Sequence, residues 1–240
     1  MDGKIVVVGL GEVGKPLYQV ISEHTEVVGV DIEPVDLHGS CEIMHICYPF
    51  QINNFVGQCA EYIKKYQPKL TIINSTVSPG TTRNVFNLTH TPIAYSPVRG
   101  KHIKMKQEML HYAKFVGGID ANSGQKAAAH FESVGMKTKV LSSPEAAELA
   151  KLTETTYFGV LIAWAQEIER YCDQLSLNYD EIISYFDEIG YLPPVKYTPG
   201  VIGGHCVMPN IAILRTIFDS RMLEMLQESN EMKKRRDASK

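Results

Sequence analysis

The chain has 240 residues, of which 44% are hydrophobic and 21% charged, with a formal net charge of −3. That is enough chain for one large domain or two modest ones, each with a real core, and the balanced charge gives no reason to expect nucleic acid or an anionic membrane as a partner. Five cysteines, Cys41, Cys47, Cys59, Cys172 and Cys206, are odd in number, scattered and without a CxxC pair. With no secretory signal and no apolar run near the ~20 residues of a membrane helix, the expectation is a soluble cytoplasmic protein with reduced thiols and no metal site.

Lys4 to Val8, KIVVV, is an unbroken β-branched run, as expected of a strand covered on both faces. Gly9, Gly11 and Gly14 follow at once in G-L-G-E-V-G, then a helical stretch to about Ser22, then a second strand from Glu26 to Val30 that ends on Asp31. The first glycine permits the tight turn, the second lets backbone approach a pyrophosphate, and the third lets helix and strand pack closely. Asp31 stands about twenty residues on, where a carboxylate accepts both ribose hydroxyls of NAD and repels a 2′-phosphate. Val13 in the turn, Tyr48 and Pro49 after the next strand, and Ser75 complete the expected cofactor contacts.

Only a short polar stretch separates Asp31 from the strand at Ile43 to Tyr48, so one strand of the usual first half is expected to be missing or vestigial. Asn53 to Tyr66 has the spacing of an amphipathic helix, and Leu70 to Ile73 that of another buried strand. It empties into N-S-T-V-S-P-G-T-T, where Thr76 is expected to face the nicotinamide side of the crevice and Ser78 or Thr81 to cap the helix around Thr82 to Leu88. Arg99, after the strand at Ile93 to Tyr95, is a fork for a phosphate or carboxylate of the substrate or else a solvated charge. Strands at Lys114 to Gly118 and Lys137 to Leu141, with a helix over Gly124 to Val134 between them, complete a Rossmann-like domain over residues 1–142.

Ser143-Pro144-Glu145 opens a long helix, with serine as cap, proline at the first helical position and an acid in the first turn. It runs to about Leu175, with Tyr157, Leu161, Trp164, Ile168, Tyr171 and Leu175 at helical spacing as core or interface. A helix longer than its own domain needs a second surface, so it is expected to lead into a small helical domain over residues 143–240 and to form a homodimer interface through 144–175. Lys151 in its first turns is either a site residue or a lysine paired with Glu154 or Glu148 on a solvated face. A helix at Asp180 to Phe186 and a last one from about Ile211 to Lys234 follow, with Lys233, Lys234, Arg235 and Arg236 suited to a fraying helix end.

Between them lies YTPGVIGGHCVMPN, Tyr197 to Asn210. Pro199, Gly200, Gly203 and Gly204 disfavour a regular helix or central strand and let backbone N–H groups wrap a ligand. Cys206 closes the run as a candidate nucleophile; a buried small hydrophobe is the other reading.

G-L-G-E-V-G, N-S-T-V-S-P-G-T-T, Y-S-P, E-A-A-E-L-A-K-L-T-E-T-T-Y and P-G-V-I-G-G-H-C-V-M-P resemble, in order and spacing, the motifs of the nucleotide-sugar 6-dehydrogenases, the UDP-glucose and GDP-mannose dehydrogenase family. The resemblance implies an N-terminal NAD domain, a dimer-forming central domain and a cysteine that carries oxidation of a sugar primary alcohol to a carboxylate. It places that cysteine at Cys206, the helix lysine at Lys151 and the threonine of the S-T motif at Thr76, with Gly203, Gly204 and His205 holding substrate. Where the family has an asparagine one turn after the lysine this chain has Thr155, and where it has an aspartate four residues after the cysteine this chain has Asn210. Val98 stands in place of a glutamate, and the chain ends where the family's C-terminal nucleotide-sugar domain would begin. A catalytically silent NAD-binding or interaction module and a hydroxyacid or imine reductase using Lys151 are the alternatives.

Overall fold

The structure, a computed structural model, describes residues 3–33, 35–99, 104–188, 190–191, 197–204 and 206–239. The chain divides into two compact units, Met1–Lys151 and Leu152–Lys240.

The first unit is a seven-stranded sheet in the order β2-β1-β3-β4-β5-β6-β7, built from β1 (Lys4–Val8), β2 (Val27–Val30), β3 (Cys41–Ile46), β4 (Leu70–Ile73), β5 (Ile93–Tyr95), β6 (Lys114–Gly118) and β7 (Thr138–Leu141). All pairings are parallel except β5 with β6. The fold is α/β and Rossmann-like, as expected. β2 forms the sheet edge, where the short connection between Asp31 and β3 leaves no room for a further strand and its helix.

Successive residues of β1 point to opposite faces, and both faces are covered. Val7 joins Leu17, Ile21, Ile72 and Phe131 in one buried cluster, against α1 (Gly14–Ser22), α4 (Met105–His111) and α5 (Ala121–Ser133). Val6 and Val8 join Met44, Ile46, Phe55, Ile63 and Tyr95 in the other, against α2 (Phe55–Tyr66) and α3 (Thr81–Thr89). Two apolar layers of this kind are why β1 and β4 carry no polar alternation. α4 has no counterpart among the sequence expectations; it is short and buries only Met105 and Met109.

α3 begins differently from the expectation. Its N-cap is Gly80 at φ 91°, and neither Ser78 nor Thr81 supplies a side-chain cap. The Ser78 carbonyl instead accepts from both Thr81 N and Thr81 Oγ1. The orphan donors of the first turn go to Glu148 of α6 (Pro144–Leu175), whose carboxylate accepts from Gly80 N at 2.6 Å, Thr82 N at 2.9 Å and Thr82 Oγ1 at 2.6 Å. Glu148 is fully buried. With Ala147 in the sheet core and Glu145 paired to Arg83, it makes the first two turns of α6 part of the first unit.

The second unit holds the rest of α6 with α7 (Tyr179–Ser184), a 3-10 turn (Tyr185–Glu188), α8 (Val207–Arg215) and α9 (Arg221–Ala238). The single terminal helix expected from about Ile211 is two helices. Chain between Thr216 and Ser220 leaves helical geometry, and Ser220 enters α9 from an extended conformation at φ −140°. No glycine or proline marks this break, which is why periodicity alone runs through it. A Cβ on Gly159 would approach Val207 Cγ1 to 2.7 Å, so α6 and α8 touch where α6 lacks a side chain.

The basic residues near the end of α9 are not a frayed tip. Lys233 is 7% exposed and pairs with Glu169 of α6 at 2.9 Å and with Asp237, and Arg236 pairs with Glu169 and Asp173. The α6 stripe is not core either, apart from Ile168. Tyr157, Trp164, Tyr171 and Leu175 are 54%, 49%, 46% and 68% exposed.

Candidate active site

In the first unit the glycine turn has the shape its spacing implies. Gly9 sits at φ 88°, and a Cβ there would meet Tyr48 N at 2.7 Å; a Cβ on Gly14 would fall 1.7 Å from the Gly9 carbonyl oxygen. Neither position tolerates a side chain. Gly11 is the reverse case, exposed and with nothing within 4 Å of its would-be Cβ. Backbone at the N-terminus of α1 thus faces open space, the geometry that binds a pyrophosphate through N–H groups and helix dipole. Val13 is the N-cap of α1 and its side chain packs on the sheet core.

Asp31 is exposed beyond β2. Beside it Ile32 is 94% exposed, an apolar surface of the kind a planar base covers, and no sequence signal distinguishes it. Tyr48 contributes backbone rather than ring. Its hydroxyl meets Cys59 Sγ at 3.1 Å and its ring packs on Phe55 and Tyr62 of α2, while its carbonyl accepts from Ser75 Oγ at 2.6 Å. Pro49 is exposed, Thr76 half-buried. The guanidinium of Arg99 lies over the rings of Phe115, at 5.4 Å, and Tyr112, at 5.8 Å.

Beneath these turns is a buried polar cluster that sequence reasoning missed. His45 of β3 and His130 of α5 meet Nε2 to Nε2 at 2.9 Å, and Asn74 Nδ2 lies 3.1 Å from His45 Nδ1. Burial is the main cause holding both imidazoles below their usual pKa, His130 at about 4; the charge of Lys114 acts on both in the same direction. Lys114 of β6, 3% exposed, donates to the carbonyls of Ser96 and Pro97 at 3.2 and 3.3 Å and sits 4.6 Å from the Phe131 ring centre. Burial brings its pKa down to about 7. Half-buried Lys151 is among the charges that act on it.

In the second unit the glycine-rich loop is clamped from behind. Asn230 of α9 accepts from Ile202 N at 2.7 Å and donates to Ile202 O at 3.0 Å, and Gln166 of α6 donates to Gly200 O at 2.8 Å. Ser229 donates to Gln166 Oε1 at 2.8 Å. Asn230 and Gln166 are wholly buried, and only an amide set in an otherwise apolar helix face hints at them in sequence. Gly203 and Gly204 are exposed with open space at their would-be Cβ positions, Gly204 at φ 77°. His205 lies outside the described residues.

Cys206 is half-buried at the N-cap of α8, where a helix end favours negative charge. The other four cysteines are buried, and burial pushes the thiols of Cys41, Cys47 and Cys59 up to about 12. Native protein is therefore expected to take up one equivalent of iodoacetamide rapidly and five after denaturation; intact-mass measurement that finds Cys206 unlabelled while a buried thiol reacts would contradict this exposure. Two of the departures from the family motifs touch each other. Asn210 Nδ2 donates to Thr155 Oγ1 at 3.0 Å, both residues being buried, so a neutral pair joins α8 to α6. Asn210 N also donates to the Cys206 carbonyl at 3.3 Å. Among the described residues no group of acids, histidines and cysteines is arranged to hold a metal ion, and no helix is long and apolar enough to cross a membrane.

A mostly parallel sheet whose first strand, glycine turn and helix are arranged in this way defines a Rossmann-like α/β protein with a helical second unit. Within that class the resemblance read from the motifs is borne out, and the chain is similar to the nucleotide-sugar dehydrogenases: residues 145–233 match the UDP-glucose/GDP-mannose dehydrogenase family, central domain. It is 30% identical over 159 residues to a UDP-N-acetyl-D-mannosamine dehydrogenase of Methanocaldococcus jannaschii, covering 64% of this chain and 37% of that one. The chain spans 37% of the length of that relative and 59% of a UDP-N-acetyl-D-mannosamine dehydrogenase of Methanococcus vannielii. The solved UDP-D-ManNAc dehydrogenase of Pyrococcus horikoshii superposes with a TM-score of 0.84 at 21% identity, covering 98% of this chain and 70% of that one. A 3-hydroxyisobutyrate dehydrogenase of Mycobacterium tuberculosis shares the fold at a TM-score of 0.73 and 17% identity, covering 99% and 94%.

Proposed function

We propose that the chain is the cofactor-binding and central part of an NAD-dependent dehydrogenase that oxidises the primary alcohol of a nucleotide sugar to a carboxylate. Cys206 carries the reading: it lies within the family-matched segment, it is the one of the chain's five cysteines that is not buried, and it stands at a helix N-terminus behind an open glycine loop. Bound NAD⁺ supplies the hydride acceptor, twice for each acid formed. The Gly9 to Gly14 backbone and the α1 N-terminus would hold the pyrophosphate, Asp31 the ribose hydroxyls, and Thr76 the nicotinamide side.

In this reading Lys151 donates to the oxygen that becomes an alkoxide and then a hemiacetal oxygen. The Cys206 sulfur bonds to the aldehyde carbon; loss of the second hydride leaves a thioester, and water cleaves its C–S bond, returning the thiol and releasing the acid. Asn210 is not a carboxylate and cannot take the proton of that water. With Thr155 it acts instead as a positioning pair beneath Cys206. Arg99, Gly203, Gly204 and His205 are assigned to the substrate, and the names of the relatives favour a UDP-linked amino sugar. A homodimer through α6 is supported by the exposed Trp164 and Tyr171, which share an apolar groove with Met222, Met225 and Met232. Location in the cytoplasm is supported by five cysteines outside disulfides.

With UDP-N-acetyl-D-mannosamine and NAD⁺ the expected result is two NADH per acid, lost at least ~1,000-fold in Cys206→Ala. A hydroxyacid dehydrogenase using Lys151 is the second reading, favoured by the nearly full mutual coverage with the mycobacterial enzyme. Hydroxyacid turnover unchanged in Cys206→Ala would select it. NAD⁺ binding without turnover of either substrate class would instead mark a silent module, to which the neutral Thr155–Asn210 pair points.

A further inference from the structure

We infer that Lys114 is a positioning residue of the proposed substrate crevice, its amine tying the Ser96 and Pro97 carbonyls to the sheet so that the turn carrying Arg99 keeps one geometry. The inference rests on the reading above only in assigning that turn to a substrate. Lys114 opens β6, which runs antiparallel to β5, so it lies at the end of the sheet where β5 gives way to Ser96, Pro97, Val98 and Arg99. Ser96 is fully buried and Val98 is 7% exposed; Ser96 N donates to Ile73 O, and proline at 97 has no N–H to give. The Lys114 amine closes this turn from below through two carbonyls.

A buried lysine is an expensive way to fill space, since a methionine of similar length would pack against Phe131 without any loss of hydration. Its retention is explained by donors that a hydrocarbon lacks. The groups facing the amine are Cys47 at the end of β3, Lys151 on α6, and the Phe131 ring and His130 of α5. His45 of β3 feels its charge as well, and pairs in turn with Asn74, one residue before Ser75 and Thr76. Two crevice turns therefore rest on one buried cluster.

The amine titrates at about 7 in place and near its ordinary value when the turn opens to water. Protonation is thus more favourable in the open form, and opening of the turn grows as pH falls from the ordinary lysine range toward about 7, then levels off.

Hydrogen exchange of the full chain, followed by mass spectrometry between about pH 6 and about pH 9 and corrected for intrinsic rates, tests this. In the wild type the peptide spanning Tyr95 to Arg99 is expected to lose protection about a hundredfold as pH falls from about 9 to about 7 and to level off below that, with β1 unchanged. In Lys114→Met that peptide is expected to exchange at least about tenfold faster at the alkaline end and to show no pH step. Equal protection in the two proteins, or a pH-independent wild type, overturns the assignment; the wild-type arm decides it alone if the variant does not fold. NAD⁺ and UDP binding by calorimetry is read separately. A wild type that binds neither refutes the functional reading of the crevice, while the exchange result still decides the role of Lys114.

Discussion

Glu148→Ala is expected to lower the stability of the first unit by roughly 3–5 kcal/mol, a fall of about 10 °C in Tm. Three donors, Gly80 N, Thr82 N and Thr82 Oγ1, converge on this one carboxylate, and nothing polar replaces it when it is cut back. Each donor left buried without an acceptor costs about 1–3 kcal/mol, less than additively because α3 can shift as a body. Burial holds the Glu148 carboxyl above its usual pKa even though those same hydrogen bonds oppose the shift, so the site favours an acceptor more than a charge. Glu148→Gln, which keeps one carbonyl oxygen but turns a second donor toward a donor-rich site, should lose less than alanine and more than half as much. Calorimetric melting of the three proteins checks the order; an alanine variant within about 1 kcal/mol of wild type would mean that α3 is capped by water instead.

The second large effect is on pH. His45 and His130 are held neutral in the folded protein, while in the unfolded chain each titrates near its ordinary value of about 6.5. Below that value the unfolded state binds more protons, so stability falls as pH falls, by up to about 2.7 kcal/mol per pH unit while both imidazoles remain neutral in the fold. For His130, with a folded pKa of about 4, the loss is about 3 kcal/mol by that pH. Lys114 acts in the same direction from about 7 upward, since its folded pKa also lies below the unfolded one. The buried thiols of Cys41, Cys47 and Cys59 act oppositely: held at about 12, they withdraw stability above about pH 9. Urea unfolding midpoints across pH should therefore peak between about 7 and 9. His130→Leu should flatten the acid limb by about one proton, and an unaltered slope would show that the pair does not set it.

The strands β1, β4 and β5, the glycine turn with Asp31 beyond β2, and the whole of α6 were legible in the residues themselves. Each is marked by local chemistry: unbroken β-branched runs need two covered faces, glycine spacing prescribes the turn, and Ser143-Pro144-Glu145 starts a helix wherever it stands. The partial exposure of Cys206 was legible as well, because a thiol behind Pro-Gly and Gly-Gly sits in exposed backbone by its own composition.

Tertiary structure alone decided what the long-range groups do. A glutamate in α6 caps a helix 66 residues earlier, and His45 meets a partner 85 residues away. Asn210 finds Thr155, so that two separate departures from a family pattern become one buried pair. Lysine, histidine and asparagine look alike on a surface and in a core until burial removes water, and burial is set by which elements the sheet brings over one another. Periodicity carries the direction of a side chain but not the identity of its partner, which is why the stripe of α6 could be read only as core or interface and the break between α8 and α9 could not be seen.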